Sequence, residues 1–319
     1  AGAVGAAMSG ATTDTRPTVS VIIPTLNGGR WLDDLLIRLR EQTLQPDEIL
    51  VVDSGSTDAT LSIAASHGVH LLEIPPGSFD HGGTRSLAVR HVQGELLVFL
   101  TQDAIPADRE AIARLVRPLA EDALIAAAYG RQLANPDATP CAAHLRLFNY
   151  PPASAVRSLD DRHRLGFKTI FISNSFAAYR RGPLKRVGCF PEKLLFGEDT
   201  YTVAKLLELG YCVAYASDAR VYHSHNYTLW QECKRYFDIG AFHAREWAVL
   251  GRFGAPTGAG SRYVRAEIAY LLKERHPMRI PESLVRNGLK LTAYLLGRRA
   301  HRLPRRLARS LSLHPLWWD

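Results

Sequence analysis

Glu48-Ile49-Leu50-Val51-Val52-Asp53-Ser54-Gly55-Ser56-Thr57-Asp58 is the stretch whose reading decides the fold. A short aliphatic run that ends on a carboxylate predicts a buried strand. The small polar residues after it predict a turn that caps a helix starting near Ala59. The same order recurs on both sides. Val19–Ile23 is a β-branched run stopped by Pro24, and Trp31, Leu32, Leu35, Leu36 and Leu39 follow at helical spacing. Val69–Ile74 predicts a third strand, followed by a polar loop over Gly77–Gly83 and a helix around Thr84–Val92. Glu95–Leu100 predicts a fourth strand and leads directly into Thr101-Gln102-Asp103; Asp108–Leu119 reads as helix and Leu124–Ala128 as a fifth strand. Strands alternating with helices imply βαβ units, hence an α/β protein with a Rossmann-like, mostly parallel, doubly wound sheet. Such sheets bind ligands beyond the carboxyl ends of their strands, where Asp53 and Asp103 both stand.

The second half is less regular. Pro136–Leu165 shows little periodicity and predicts a long surface excursion. Thr169–Tyr179 is strand-like, Thr200–Leu209 helical with Gly210 as its stop, and Cys212–Tyr215 and Ala219–Tyr222 are two short strands. Thr228–Leu250 is helical, and from Arg262 onward helices are broken at Pro277, Pro281 and Pro304.

The 319 residues are 46% hydrophobic and 22% charged, which excludes collagen-like, coiled-coil and wholly disordered chains. The four cysteines form no CxxC, so neither a disulfide framework nor a cysteine zinc site is expected, and a reducing compartment is. There is no run of eighteen apolar residues to span a bilayer. Ala1–Ala11 is small and apolar without a basic start, so residues 1–17 are expected to be a disordered or cloning-derived leader rather than a signal peptide.

Net charge is +8, and it is concentrated: Arg279–Arg309 holds nine Lys/Arg and one acid, Glu282, while the rest balances. Leucines interleave those bases, and Trp317 and Trp318 follow. Two readings stand: a basic amphipathic tail on an anionic membrane surface, or a terminal helix packed on its own domain. Nucleic acid is not an expected partner, because no nucleic-acid-binding motif occurs.

Four motifs in order, Val19–Asn27, Val51–Asp58, Thr101–Ala104 and Gly197-Glu198-Asp199, resemble those of family 2 glycosyltransferases, inverting enzymes of the GT-A fold. Phe79–Arg85, Thr101–Ala104 and Val221–Tyr227 are further similar to bacterial rhamnosyltransferases that use dTDP-L-rhamnose. The resemblance spans Thr18–Ala244. It implies a GT-A catalytic domain over 18–227, with a nucleotide-binding half at 18–130 and an acceptor half at 131–227. A helical, basic C-terminal region at 228–319 completes the chain. The implied activity is transfer of L-rhamnose to a cell-surface glycan or lipid-linked acceptor, in the cytoplasm at the inner face of the membrane. A UDP-hexose donor and a catalytically silent sugar-nucleotide-binding module are the alternatives.

The departing diphosphate needs a cation or aligned donors, and Mg²⁺ or Mn²⁺ is the implied cofactor. Where the family has Asp-x-Asp, this chain has Thr101-Gln102-Asp103, so Asp103 matches the metal position and Gln102 is expected at the donor sugar or ribose. His223 is the expected second ligand with His225 as its competitor, since strand alternation would let at most one of them face the metal. Pro24, Thr25, Asn27 and Asp53 match the nucleotide pocket, Asp53 as acceptor for a pyrimidine N3–H. Arg85 is expected on the diphosphate or ribose. Asp80, His81, Asn174 and Glu198 are expected at donor or acceptor sugar, Asp80 equally being a turn residue. Asp199 matches the general base, with a first-turn capping role for both acids as the plain alternative.

Overall fold

The strand predicted at Val19 is, in a computed structural model describing residues 16–254 and 259–318, the first of nine in one sheet among the described residues. The expected leader lies, apart from its last two positions, outside the described residues. In chain order the first half is β1 (Val19–Thr25), α1 (Leu32–Arg40), β2 (Glu48–Asp53), α2 (Thr60–Ser66), β3 (His70–Glu73), α3 (His81–Arg90), β4 (Leu96–Leu100), β5 (Ile105–Pro106) and α4 (Ala111–Glu121). Then come β6 (Ile125–Leu133), α5 (Pro140–Asn149), β7 (Ala155–Arg157), α6 (Arg162–Leu165), β8 (Phe176–Arg180), α7 (Arg181–Arg186), α8 (Glu198–Glu208) and β9 (Cys212–Tyr222). The chain closes with helices α9 (Leu229–Arg245), α10 (Trp247–Leu250), α11 (Ala259–Lys273), α12 (Ile280–Gly297) and α13 (Arg305–Leu311).

The strand order is β3-β2-β1-β4-β8-β6-β9-β5, with β7 pairing on β9. The first four strands are parallel, as the βαβ pattern requires. β8 then runs antiparallel to both β4 and β6, while β6 and β9 are parallel to each other. Side-chain alternation feeds two cores, one on each face of the sheet. Ile22, Leu97 and Phe99 join the cluster holding Ala88 and Val89 of α3 and Val203 and Leu207 of α8. Val21, Ile23, Val98 and Leu100 join Leu32, Leu35, Leu36 and Leu39 of α1 and Leu115 of α4.

Three local expectations change. The excursion at 136–165 contains α5, started by the Thr139 side chain accepting from the Ala142 amide, with Pro140 in the first turn. Its short, partly polar buried face (Ala142 and His144) leaves no apolar stripe to read. Of the strand expected over Thr169–Tyr179 only Phe176 onward is extended in the sheet, as β8 to Arg180, and Gly166–Ile170 is a 3₁₀ turn. The two short strands near the end of the sheet are one, β9, continuous through a register shift opposite Gly130/Arg131.

The C-terminal helices join the main core and also close a small cluster of their own, Phe237, Ala241, Ala300 and Ala308 with Leu195. Phe242, Leu250 and Phe253 lie in the same cluster as Phe99 and Tyr179. α12 packs along α9, and two glycines set the crossing. A Cβ at Gly240 would overlap the Tyr294 carbonyl oxygen, and one at Gly297 the Phe237 carbonyl oxygen. Backbone cannot yield as a side-chain tip can, so Gly297→Ala must push the helices apart. Overpacking of this kind costs about 1–3 kcal/mol. The expected outcome is a thermal midpoint several degrees lower by circular dichroism; an unchanged midpoint would show that the helices tolerate a wider crossing.

Candidate active site

One edge of the sheet collects the chemistry. β1, β2 and β4 end there at Thr25, Asp53 and Leu100, and β6 and β9 at Leu133 and Tyr222. Because β8 is antiparallel, its beginning lies at that edge, with Leu100 opposite Phe176. Residues 173–175 therefore meet residues 101–103, and the Thr101 amide donates to the Ser175 carbonyl at 3.4 Å.

Asp103 follows β4, and His223 and His225 follow β9. His223 Nε2 is 3.4 Å from Asp103 Oδ1 and His225 Nε2 is 3.8 Å from Asp103 Oδ2. Both imidazoles thus face one carboxylate, which corrects the expectation that at most one would. β9 ends at Tyr222, so strand alternation does not govern the next residues. The three ligand atoms lie within 4.8 Å of one another. Metal–ligand lengths of about 2.0–2.2 Å put ligand atoms roughly 3–4 Å apart, so this donor set fits a divalent ion with water and phosphate oxygens as further ligands. Gln132 Oε1 lies 3.0 Å from His223 Nδ1. That contact fits a proton on Nδ1 and a lone pair on Nε2 toward Asp103, the usual outer support of a ligating histidine. Arg146 donates to the same Gln132 oxygen. Burial acts against ionisation of Asp103, but the hydrogen bond and charge of His223, with His225, hold it well below the usual carboxylate range. Burial, then His223, lowers His225 to about 4.

The second cluster is acidic. Gly197, at φ 76°, turns the chain into α8 so that Glu198 and Asp199 open the helix. A Cβ there would strike the Phe242 ring. Glu198 is buried against Arg85 (Nη1–Oε1 3.1 Å) and accepts from Asn174 Nδ2 at 3.0 Å. Asn174 also accepts from the Tyr179 hydroxyl at 2.8 Å, and its amide donates to Asp199 Oδ2 at 3.0 Å. Thr200 N–H donates to Asp199 Oδ1 at 2.7 Å. The two acids are driven apart. Burial opposes the charge of Glu198, but Arg85, with His81 and Asn174, holds its pKa down. Burial and then the Glu198 charge push Asp199 up. The clusters are one site: Gln132 Nε2 donates at 3.1 Å to Ser173 Oγ, next to Asn174.

Several expected ligand contacts are occupied by the protein. Arg85 pairs with Glu198 and donates to the His81 carbonyl at 2.8 Å, so its guanidinium supports the acid pair. Asn174 and Glu198 are likewise engaged with neighbours. Gln102 clamps Leu26, accepting from its N–H at 2.9 Å and donating to its carbonyl at 3.2 Å, which ties the end of β4 to the end of β1. Asp80 caps α3 through the Gly83 amide and accepts from the Lys193 amide at 3.0 Å, which is its turn role. His81 stands beside the Glu198–Arg85 pair and edge-on to His314 of the C-terminal segment, with ring centroids 5.2 Å apart.

At the ends of β1 and β2, Pro24 and Thr25 pair in register with Val52 and Asp53. The chain itself fills the acceptor directions of Asp53. Oδ2 accepts from the Gly55 and Ser56 amides at 2.9 and 2.8 Å, and Oδ1 from the Ser56 hydroxyl and, at 3.3 Å, Thr25. A base N–H would have to replace one of these, and the Ser56 hydroxyl is the bond that rotates away most easily. Asn27, at φ 49°, accepts from the Thr57 amide at 2.9 Å and joins this loop to the one after β1. Gln132 and Arg146 escaped the sequence reading. Neither lies in a motif, and Arg146 sits on the helix read as irregular.

The family description "Glycosyl transferase family 2" matches residues 20–188. The O-antigen chain rhamnosyltransferase RfbN of Salmonella typhimurium is 43% identical over 303 residues, covering 94% of this chain and 96% of that protein. The O-antigen chain rhamnosyltransferase WbaN of Salmonella anatum is 40% identical over 306 residues, covering 95% and 96%. Among solved structures, the mannosyltransferase PcManGT of Pyrobaculum calidifontis, in complex with GDP-Man and Mn²⁺, superposes with a TM-score of 0.55 at 21% identity, covering 96% of this chain and 86% of that one. That likeness is one of fold, the GT-A arrangement.

The Arg85–Glu198 pair gives a direct test. Removing one partner of a buried ion pair typically costs about 3–5 kcal/mol because the other charge is left unpaired. Arg85→Met is therefore expected to lose that much stability in urea unfolding, and Arg85→Met/Glu198→Gln to recover most of it. A single variant as stable as the parent, with only donor affinity reduced, would return Arg85 to the diphosphate.

Proposed function

The chain belongs to glycosyl transferase family 2, and we propose that within it the enzyme transfers L-rhamnose from dTDP-L-rhamnose to a hydroxyl of a growing cell-surface glycan carried on lipid. The observation that carries this reading is the near-full-length identity to two O-antigen chain rhamnosyltransferases. The proposed division keeps a catalytic domain at 18–227, with nucleotide and acceptor halves, and a C-terminal helical region that brings the enzyme to the inner face of the cytoplasmic membrane.

The proposed reaction is a single in-line displacement. Asp199 takes the proton of the acceptor hydroxyl as its oxygen attacks the anomeric carbon, while the bond from that carbon to the diphosphate breaks and dTDP leaves with the electron pair. Two properties of Asp199 support the role. Backbone amides of Asn174 and Thr200 each hold one carboxylate oxygen, which fixes its orientation. Its raised pKa makes it a stronger base than an ordinary carboxylate, and the shift comes from burial and Glu198. Asp103, His223 and His225 would hold a divalent ion, whose charge would offset that of the departing diphosphate. Two imidazoles in the donor set favour Mn²⁺ over Mg²⁺. Pro24, Thr25, Asn27 and Asp53 would form the floor under the pyrimidine.

Asp199→Asn is expected to lower kcat by about 10²–10⁴ while dTDP still binds, measured by radiolabelled transfer and calorimetry. A group that must be ionised to act loses activity as pH falls through its pKa. The acid limb of the parent's kcat/KM profile should therefore lie above the ordinary carboxylate range, and a limb near pH 4 would count against Asp199.

Chelation should abolish transfer and Mn²⁺ should restore it. Electron paramagnetic resonance should show Mn²⁺ bound with dTDP in the parent and lost in His223→Ala/His225→Ala; equal binding by both would displace the ion from these residues.

A further inference from the structure

We propose that the outward face of α12 docks on a membrane surface bearing anionic headgroups. This rests on the peripheral-membrane reading above and names the surface that performs it.

α12 is packed inside out. A helix on a globular protein ordinarily turns its apolar face inward. Here Ser283, Arg286, Lys290 and Gly297 face α9 and α11. Arg286 and Lys290 pair with Glu232 of α9 at 2.9 and 3.2 Å. Asn287 Nδ2 lies 2.6 Å from Glu267 of α11, which also accepts from Ser283. On the other side Leu284, Val285, Leu289, Leu291, Leu295 and Leu296 are exposed, Val285 and Leu291 by 56% and 59%. At 100° per residue these six fall in one arc of about 160°. Met278, in the turn leading into the helix, is 89% exposed. Charged groups are buried in pairs while a contiguous leucine face is left in water. Such a patch marks an interaction surface.

Charge identifies the occupant. Arg279 precedes the face, Arg298, Arg299 and Arg302 follow it, and Arg305 and Arg306 lie on α13; the whole net +8 of the chain resides in this segment. A two-fold dimer would set the patch against its own copy, basic against basic. Nucleic acid would meet the arginines but leave the leucines uncovered. An anionic lipid surface takes both, acyl boundary for the leucines and headgroups for the arginines. The terminal tryptophans expected to serve here do not. Trp317 Nε1 donates to the Lys193 carbonyl at 3.0 Å, and Trp318 stacks obliquely on Phe237. The docking face is also tied to the site. Arg286 donates to the Tyr227 carbonyl at 3.2 Å, two residues beyond His225, so docking would hold the catalytic edge near the plane in which a lipid-linked acceptor lies.

The test is co-sedimentation of the full chain with vesicles of phosphatidylcholine alone or mixed equally with phosphatidylglycerol. The parent is expected to partition onto the mixed vesicles, weakly onto the neutral ones, and less as salt rises. Leu291→Glu/Leu295→Glu should lower that partition roughly ten-fold or more, and Arg298→Ser/Arg299→Ser should weaken it and flatten its salt dependence. All variants should keep the parent's thermal midpoint and transfer to a water-soluble acceptor. Equal partition of parent and leucine variant overturns the proposal, as does a parent that ignores vesicles but is a dimer by light scattering and becomes monomeric in that variant. An enzyme that transfers rhamnose yet ignores vesicles defeats the docking alone; one that docks but does not use dTDP-L-rhamnose defeats the donor assignment alone.

Discussion

Asn174 cannot shift without undoing both halves of the acid pair. Its side chain holds Glu198 and Tyr179, and its amide holds Asp199. All of this is buried or nearly so, where an unmet polar group costs far more than in water. The geometry around the proposed base is therefore over-determined. It exists because β8 runs against its neighbours and begins at the edge where the parallel strands end.

Electrostatic asymmetry follows from that packing. Two adjacent carboxylates at one helix N-terminus would otherwise titrate alike. Arg85 lies against Glu198, which stays ionised, and that fixed charge then raises Asp199. The pair thus separates into one carboxyl held low and one held high, the pattern by which two like groups can acquire different roles. A buried ion pair stabilises little over an apolar replacement, so its value here lies in setting the neighbour. Along the same edge, Gln132 orients His223 and reaches Ser173, so the candidate metal ligands and the acid pair share one hydrogen-bonded frame.

The C-terminal helices extend this frame. α9 shares the main core through Phe242, and α12 lies close on α9 because Gly240 and Gly297 let backbones meet. Ion pairs with Glu232 and hydrogen bonds to Glu267 fill the seam that leucines would ordinarily occupy. The leucines are consequently turned out, and the proposed docking face arises from the same contacts that fasten the helix. No helix among the described residues is long and apolar enough to cross a membrane.

Much was legible in the sequence because periodicity and turn chemistry are local. The parallel half of the sheet, the Leu32–Leu39 stripe and the order of motifs all follow from residues close together in the chain. So does the placing of Asp53 and Asp103 at strand ends. Where an Asp or His stands can be read this way; what already occupies its hydrogen bonds cannot. Gln102 turned to Leu26, Arg85 to Glu198 and Asp53 to its own turn because partners distant in number were brought near by folding. Both histidines reached Asp103 because β9 stopped one residue before the first of them. The chain's residue types determined the layered fold and supplied the candidate chemistry. The tertiary structure alone decided which groups are free to act and which are held, because burial and long-range pairing, not sequence spacing, set the charge and reach of each side chain.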